Sequence, residues 1–178
     1  MLESIVCAGL GGQGVLTAGK IIMYAAAKRD LHVTWFPAYG NEMRGGSASC
    51  QVIMGDKRIA SPYADHPTLV MAMSESAVLQ FEEAMEPGGL LFVNSSLVPE
   101  DHKYRDDIKV IKAPVTEIAT NLKSERNANL CMVGKIVREW GVFTYEEFES
   151  AMCAYFEELG KGKFNEKNKE ILRSGYDC

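Results

Sequence analysis

No stretch of the 178 residues approaches the ~20 consecutive apolar positions of a membrane helix. The opening Met1-Leu2-Glu3-Ser4 has neither a basic segment nor a cleavage pattern, so a cytoplasmic protein is expected. Positive charge is in the minority: 19 Lys and Arg stand against 24 Asp and Glu, for a net charge of −5. That argues against a general nucleic-acid binder, which needs a basic face, but leaves room for a local pair of cations serving one small anion. His32, His66 and His102 are scattered and read as surface or loop residues. Cys7, Cys50, Cys131, Cys153 and Cys178 include no C-x-x-C pair. An odd, dispersed set fits a reducing compartment. Iron–sulfur ligands usually include closely spaced cysteines, so no cluster is expected on this chain alone. Repeats, low-complexity tracts and linkers are also missing. With 47% apolar residues, one domain over residues 1–178 is the expectation.

What is present begins at Cys7-Ala8-Gly9-Leu10-Gly11-Gly12-Gln13-Gly14-Val15. Ile5 to Ala8 reads as a short buried strand. Val15, Ala18, Gly19, Ile22 and Ala26 then recur at helical spacing. Strand, glycine turn and helix open a βαβ unit, and Gly9, Gly11 and Gly14 fit G-x-G-x-x-G. A helix start carries unpaired N–H groups and a dipole that favours an anion. The plainer alternative is a tight turn whose glycines serve positive φ and close packing.

The first helix is expected from Val15 to about Lys28, and a second strand from His32 to Phe36, ended by Pro37. Ser47–Met54 alternates, with Ala48, Cys50, Val52 and Met54 on one face. With Lys57–Ala60 returning after Gly55-Asp56, it predicts a hairpin. Further strands are expected at Thr68–Ala72, Leu90–Val93 and Ile108–Ile111. Helices are expected at Glu75–Met85 (burying Val78, Leu79 and Phe81), Pro114–Leu122 and Asn127–Trp140. Another follows the capping box Thr144-x-x-Glu147, and a short one lies around Asn168–Arg173. Strands and helices alternate, which predicts an α/β fold: a mostly parallel sheet flanked by helices with a small antiparallel hairpin insertion.

The motifs narrow the chemistry. A dinucleotide site needs an acid ~20 residues past the last fingerprint glycine; Thr34, Trp35 and Phe36 stand there instead. No Gly-Lys-Ser/Thr follows the glycines, and no G-x-S-x-G elbow occurs. No Gly-Asp-Gly run for thiamine diphosphate is present, only Gly55-Asp56-Lys57 in the hairpin turn. The chain therefore reads as a binding domain without its own redox centre. A second informative stretch, Tyr39 to Gly46, leaves the second strand on the same sheet edge as the glycine turn. Its Arg44 is a candidate fork for a phosphate or carboxylate, or it bonds loop carbonyls and Glu42.

Taken in order, Gly9-Leu10-Gly11-Gly12-Gln13-Gly14-Val15, Val33-Thr34-Trp35, Tyr39-Gly40-x-Glu42-Met43-Arg44-Gly45-Gly46 and Ile59-Ala60-Ser61-Pro62 form one series. Pro87-Gly88-Gly89 and Asn129 with Met132-Val133-Gly134 extend it. The series resembles the gamma subunit of 2-oxoacid:ferredoxin oxidoreductases, within the pyruvate/ketoisovalerate oxidoreductase catalytic-domain family. Trp35 and Glu-Met-Arg-Gly-Gly look most like the 2-oxoglutarate or branched-chain members. The resemblance implies a Rossmann-like domain in a heteromeric complex that decarboxylates a 2-oxoacid, with coenzyme A as cosubstrate and ferredoxin as electron acceptor. Thiamine diphosphate and iron–sulfur clusters would belong to partner subunits. Gly9, Gly11, Gly12, Gln13, Gly14 and Arg44 would then hold coenzyme A. Two alternatives stay open: a stand-alone nucleotide-binding oxidoreductase or sensor, and a purely structural subunit.

Overall fold

The computed structural model describes residues 1–39 and 46–178. Among these residues, six strands and six α-helices run in the order β1 (Leu2–Leu10), α1 (Val15–Lys28), β2 (His32–Tyr39), β3 (Ser47–Gly55), β4 (Leu69–Ala72), α2 (Glu75–Phe81), β5 (Leu90–Asn94), β6 (Lys109–Ala113), α3 (Val115–Asn121), α4 (Ala128–Trp140), α5 (Tyr145–Glu158) and α6 (Asn165–Asp177), with single 3₁₀ turns at Glu125–Asn127 and Gly162–Phe164. They build one mixed sheet in the order β2-β3-β1-β4-β5-β6. β1, β4, β5 and β6 are parallel. β3 runs antiparallel between β1 and β2.

The expected α/β class holds, but the antiparallel element is arranged differently. Residues 57–60 form no strand. β1 takes one edge of β3, from Leu2↔Gly55 to Leu10↔Ser47, and β2 takes the other. No edge of β3 remains for a returning strand. The chain leaves Gly55 past the start of β1, where Asp56 N donates to the Met1 carbonyl at 3.2 Å and its carboxylate meets the N-terminal ammonium at 3.0 Å. β2 also runs beyond its expected stop, through Pro37 to Tyr39. It is an edge strand, where a missing N–H costs no ladder bond if it faces outward.

Side chains of β1, β4 and β5 are buried on both faces, which accounts for their continuous apolar runs. Ile5, Cys7, Cys50, Val52, Met71 and Phe92 pack into the larger core with α1, α4, α5 and α6. Val6, Ala8, Val70, Leu91 and Val93 pack with Ala77, Val78 and Met85 on the other face. Ser74 caps α2 as expected, its Oγ accepting from Ala77 N at 3.3 Å. The helix ends at Phe81 rather than Met85, and Leu79 is 63% exposed instead of buried. Arg105 reaches in from the connector and donates to the carbonyls of Glu82, Glu83 and Met85 at 2.9–3.1 Å, just past the helix end, where carbonyls lack intrahelical partners.

The charged tail holds a full helix, α6, in place of the short one expected. Ile171 and Leu172 are buried beneath its charges. α6 lies hard against α4: a Cβ at Gly134 would land on the Leu172 carbonyl, and one at Gly175 on the Cys131 carbonyl. The capping box on α5 forms in full, with Glu147 N donating to Thr144 Oγ1 at 3.2 Å and Thr144 N to Glu147 Oε2 at 2.9 Å.

Candidate functional site

The carboxyl ends of β1 and β2 lie on one sheet edge, with β3 between them. At this edge β1 breaks at Leu10 and α1 starts five residues later. Gly12 has φ +98° and Gly14 φ +71°, backbone that L side chains rarely adopt. Gly14 occupies the N-cap of α1, which has no side-chain cap and no acid in its first turn. Its leading N–H groups therefore receive no bond from the side chain of the N-cap residue. Gly9 is small for a different reason: the Gln13 side chain folds back over it, and a Cβ there would stand 2.9 Å from that of Met73.

Gln13 pins the turn. Its Oε1 accepts from Leu10 N at 2.7 Å, and its Nε2 donates to the Met73 carbonyl at 3.0 Å. Buried Asn94 donates to the same carbonyl at 3.2 Å and to Thr116 Oγ1 at 2.9 Å. The amide of Gln13 is thus committed within the chain, while Gly11 and Gly12 are exposed. Gly11 N donates to the Gly46 carbonyl at 2.9 Å, which ties the turn to the end of the second informative loop. Arg44 lies outside the described residues, as does the rest of that loop from 40 to 45.

Two cavities flank the turn. One of about 420 Å³ touches Gly12, Gln13, Met73 and Thr116. The other, about 950 Å³, runs from Gly14 and Thr17 across the α3–α4 connection to the start of α6. Glu125 and Arg126 line both. Neither the α3–α4 connection nor the start of α6 was singled out from the sequence, because their residues carry no motif and meet the turn only through tertiary packing. Asn129 was noted as part of the resemblance; here its Nδ2 donates to the Gly14 carbonyl at 3.0 Å.

The sheet order changes the dinucleotide argument. The strand beside β1 on that side is antiparallel β3, so β2 ends one strand further out. An acid at Thr34–Phe36 would not have stood beside the turn in the way a parallel neighbour places it.

Two other polar clusters are structural. Glu82, 6% exposed, accepts from Arg105 N at 2.6 Å, and His102 Nε2 lies 2.9 Å from its carboxylate. Together they staple the connector to α2. Cys7 and Cys50 face each other across β1 and β3, both buried. The Cys50 thiol and burial push the Cys7 thiol up. Among the described residues, no three His, Cys, Asp or Glu side chains stand close enough to hold a metal ion, and no helix is long and apolar enough to cross a membrane.

Comparison with known proteins places this architecture. The family model for pyruvate ferredoxin/flavodoxin oxidoreductase matches residues 4–178. Ketoisovalerate oxidoreductase subunit VorA of Methanothermobacter marburgensis is 32% identical over 170 residues, 96% of this chain but 35% of that protein. The chain thus spans about a third of that relative's length. 2-Oxoglutarate synthase subunit KorC of Methanocaldococcus jannaschii is 31% identical, over 99% of this chain and 94% of its own. The crystal structure of a keto/oxoacid ferredoxin oxidoreductase gamma subunit from Geobacter sulfurreducens superposes with a TM-score of 0.80 at 26% identity, covering 98% and 96% of the two chains. The fold also recurs, at a TM-score of 0.84 and 20% identity, in 31% of a chain of 2-oxoglutarate:ferredoxin oxidoreductase from Magnetococcus marinus with 2-oxoglutarate, coenzyme A and succinyl-CoA bound. There it covers 99% of this chain.

Proposed function

The chain belongs to the pyruvate ferredoxin/flavodoxin oxidoreductase family, and we propose that it serves as the gamma subunit of a coenzyme A-dependent 2-oxoacid:ferredoxin oxidoreductase. The observation that carries the reading is the family match from residue 4 to 178, which spans the glycine turn. In the complex, a 2-oxoacid loses carbon dioxide, its acyl group passes to the coenzyme A thiol, and the released electrons reach ferredoxin. Thiamine diphosphate is assigned to a companion subunit because this sequence has no Gly-Asp-Gly run, and the iron–sulfur clusters because its dispersed cysteines include no closely spaced set.

Coenzyme A fits the turn chemically. An uncapped helix start beside exposed Gly11 and Gly12 offers backbone N–H groups to a phosphate. Gly9 and Gln13 shape that backbone, and Gly14 starts the helix. Coenzyme A supplies the acyl-accepting thiol, while this chain's residues hold and orient its charged part. Arg44 is kept as a second anion contact on the same edge.

The favoured substrate is 2-oxoglutarate. A branched-chain 2-oxoacid is the second reading, supported by the 32% identity to a ketoisovalerate subunit. The test is to co-express the chain with its companion subunits and assay a panel of 2-oxoacids with coenzyme A and ferredoxin. Activity confined to the assembled complex supports the role. Reduction of a viologen dye by the purified chain and a 2-oxoacid would overturn it. A preference for branched substrates would replace 2-oxoglutarate and leave the subunit role standing. Gly12→Val places a side chain in the open space before α1 and should raise the KM for coenzyme A while sparing that for the 2-oxoacid.

A further inference from the structure

Two thiols meet in the core below the glycine turn. Cys7 on β1 and Cys50 on β3 are directly opposed in the antiparallel register, so their side chains leave the same face of the sheet, into the larger core. Opposed Cα atoms in such a pair stand about 4.5–5.5 Å apart, inside the roughly 4.4–6.8 Å that a disulfide spans. The backbone thus already holds the pair at bridging distance, while both thiols are free. Reduced, they pack beneath α1, where the Cys50 thiol donates to the Val15 carbonyl at 3.5 Å.

A second observation lies beside them. Cys50 Sγ and Trp35 Nε1 both close on the place where a Cβ of Gly19 would stand. The indole N–H of Trp35 is buried and has no hydrogen-bond partner among the described residues. It can only donate, and a sulfur that has given up its proton accepts such a bond. The hydrogen bond between the two thiols pushes Cys7 up and draws Cys50 down, which marks Cys50 as the attacking sulfur.

We infer that Cys7 and Cys50 form an oxidation site, a thiol pair that hydrogen peroxide converts to a disulfide joining β3 to β1, with Trp35 as the donor to the Cys50 sulfur. The inference does not rest on the gamma-subunit reading. Both residues are enclosed, at 0% and 1% exposure, so the oxidant must be small and neutral, as hydrogen peroxide is. The Cys50 sulfur attacks one peroxide oxygen, the O–O bond breaks, and the departing hydroxide takes the Cys50 proton as water, leaving a sulfenic acid. The Cys7 sulfur then displaces the hydroxyl from Cys50: the S–O bond breaks, the S–S bond forms, and a second water leaves with the Cys7 proton. The two sulfurs together lose two electrons, and the peroxide gains them. Beyond this pair the register continues through Ala8↔Ser49, Gly9↔Ala48 and Leu10↔Ser47 to the bond from Gly11 N to the Gly46 carbonyl. A covalent link here holds the β1–β3 seam closed and steadies the backbone that enters the turn.

The full chain is treated with dilute hydrogen peroxide and its peptides are mapped without reduction. The expected product is a Cys7 peptide joined to a Cys50 peptide, lighter by two hydrogen atoms and separated by dithiothreitol. Amide hydrogen exchange along β3 should then slow about tenfold or more against the reduced chain. Recovery of Cys7 and Cys50 as free thiols while Cys153 and Cys178 oxidise would overturn the proposal. So would a joined pair that leaves exchange along β3 unchanged. In Cys7→Ser, Cys50 should gain oxygen instead of a partner; a disulfide from Cys50 to another cysteine would refute the pairing. If that variant does not fold, the peptide map of the unaltered chain decides alone. Trp35→Phe, at a partly exposed position, should slow formation of the bridge severalfold. An unchanged rate would refute the role given to Trp35.

Discussion

Asn129, on the first turn of α4, donates its hydrogen bond to Gly14, the residue 115 positions earlier that starts α1. One side chain thus fixes the spacing of two helix starts. Asn129→Leu removes the donor and leaves the Gly14 carbonyl with its remaining bond from Ala18 N. A loss of about 1–2 kcal/mol is expected, read as a lower urea midpoint with an unchanged slope. Asn129→Asp should cost more, because a carboxylate would then face that carbonyl.

The α4–α6 contact makes a sharper prediction. Gly175→Ala drives a methyl into the Cys131 carbonyl, where no flexible side chain can yield. Overpacking of this kind typically costs about 1–3 kcal/mol or more, and backbone contact puts it at the upper end. Gly160→Ala meets nothing within 4 Å and strains only a φ of +70°, worth roughly 1–2 kcal/mol. Thermal melts of the two variants should keep that order.

The thiols should separate by access and ionisation. Cys178 is exposed, Cys153 partly so, and Cys7, Cys50 and Cys131 are buried. Burial pushes the Cys131 thiol up to about 12. Iodoacetamide at pH 8 should modify Cys178 first and Cys153 more slowly. The three buried thiols should react only after denaturant is added, which peptide mass spectrometry would read directly.

The α5 cap gives a pH dependence. The Thr144 backbone N–H, bonded to the Glu147 carboxylate, holds its carboxyl below the usual range. A depressed folded-state value contributes stability above the ordinary glutamate range, lost as pH falls through the folded value. Thr144→Ala should cost about 1 kcal/mol near neutrality. Glu147→Gln should flatten the corresponding acid-side slope in unfolding free energy.

Much of the fold was readable because local signals agreed with tertiary ones. Val15–Lys28 had both its helical period and its glycine start, and Thr144 with Glu147 announced α5. The misplaced hairpin had a tertiary cause: alternation marks β3 as a strand but does not say that β1 and β2 take both its edges. α6 was underestimated because Ile171 and Leu172 are sparse among Lys and Glu, and the glycines that seat it act through α4. At the site, the glycine turn was legible as a motif. The far wall of the larger cavity was not, since only folding brings the α3–α4 connection and the start of α6 to Gly14.

The position of β2 has a dynamic consequence. Among the described residues, β2 meets the sheet through β3, and β3 reaches the parallel strands through β1. Separation of β3 from β1 would release β2 and β3 as a unit while β1, β4, β5 and β6 stayed paired, a partial opening of lower free energy than global unfolding. The Gly11–Gly46 bond spans that seam, so the turn would loosen with it. A ligand that steadies the turn should therefore slow amide hydrogen exchange along β2, in a strand it does not touch.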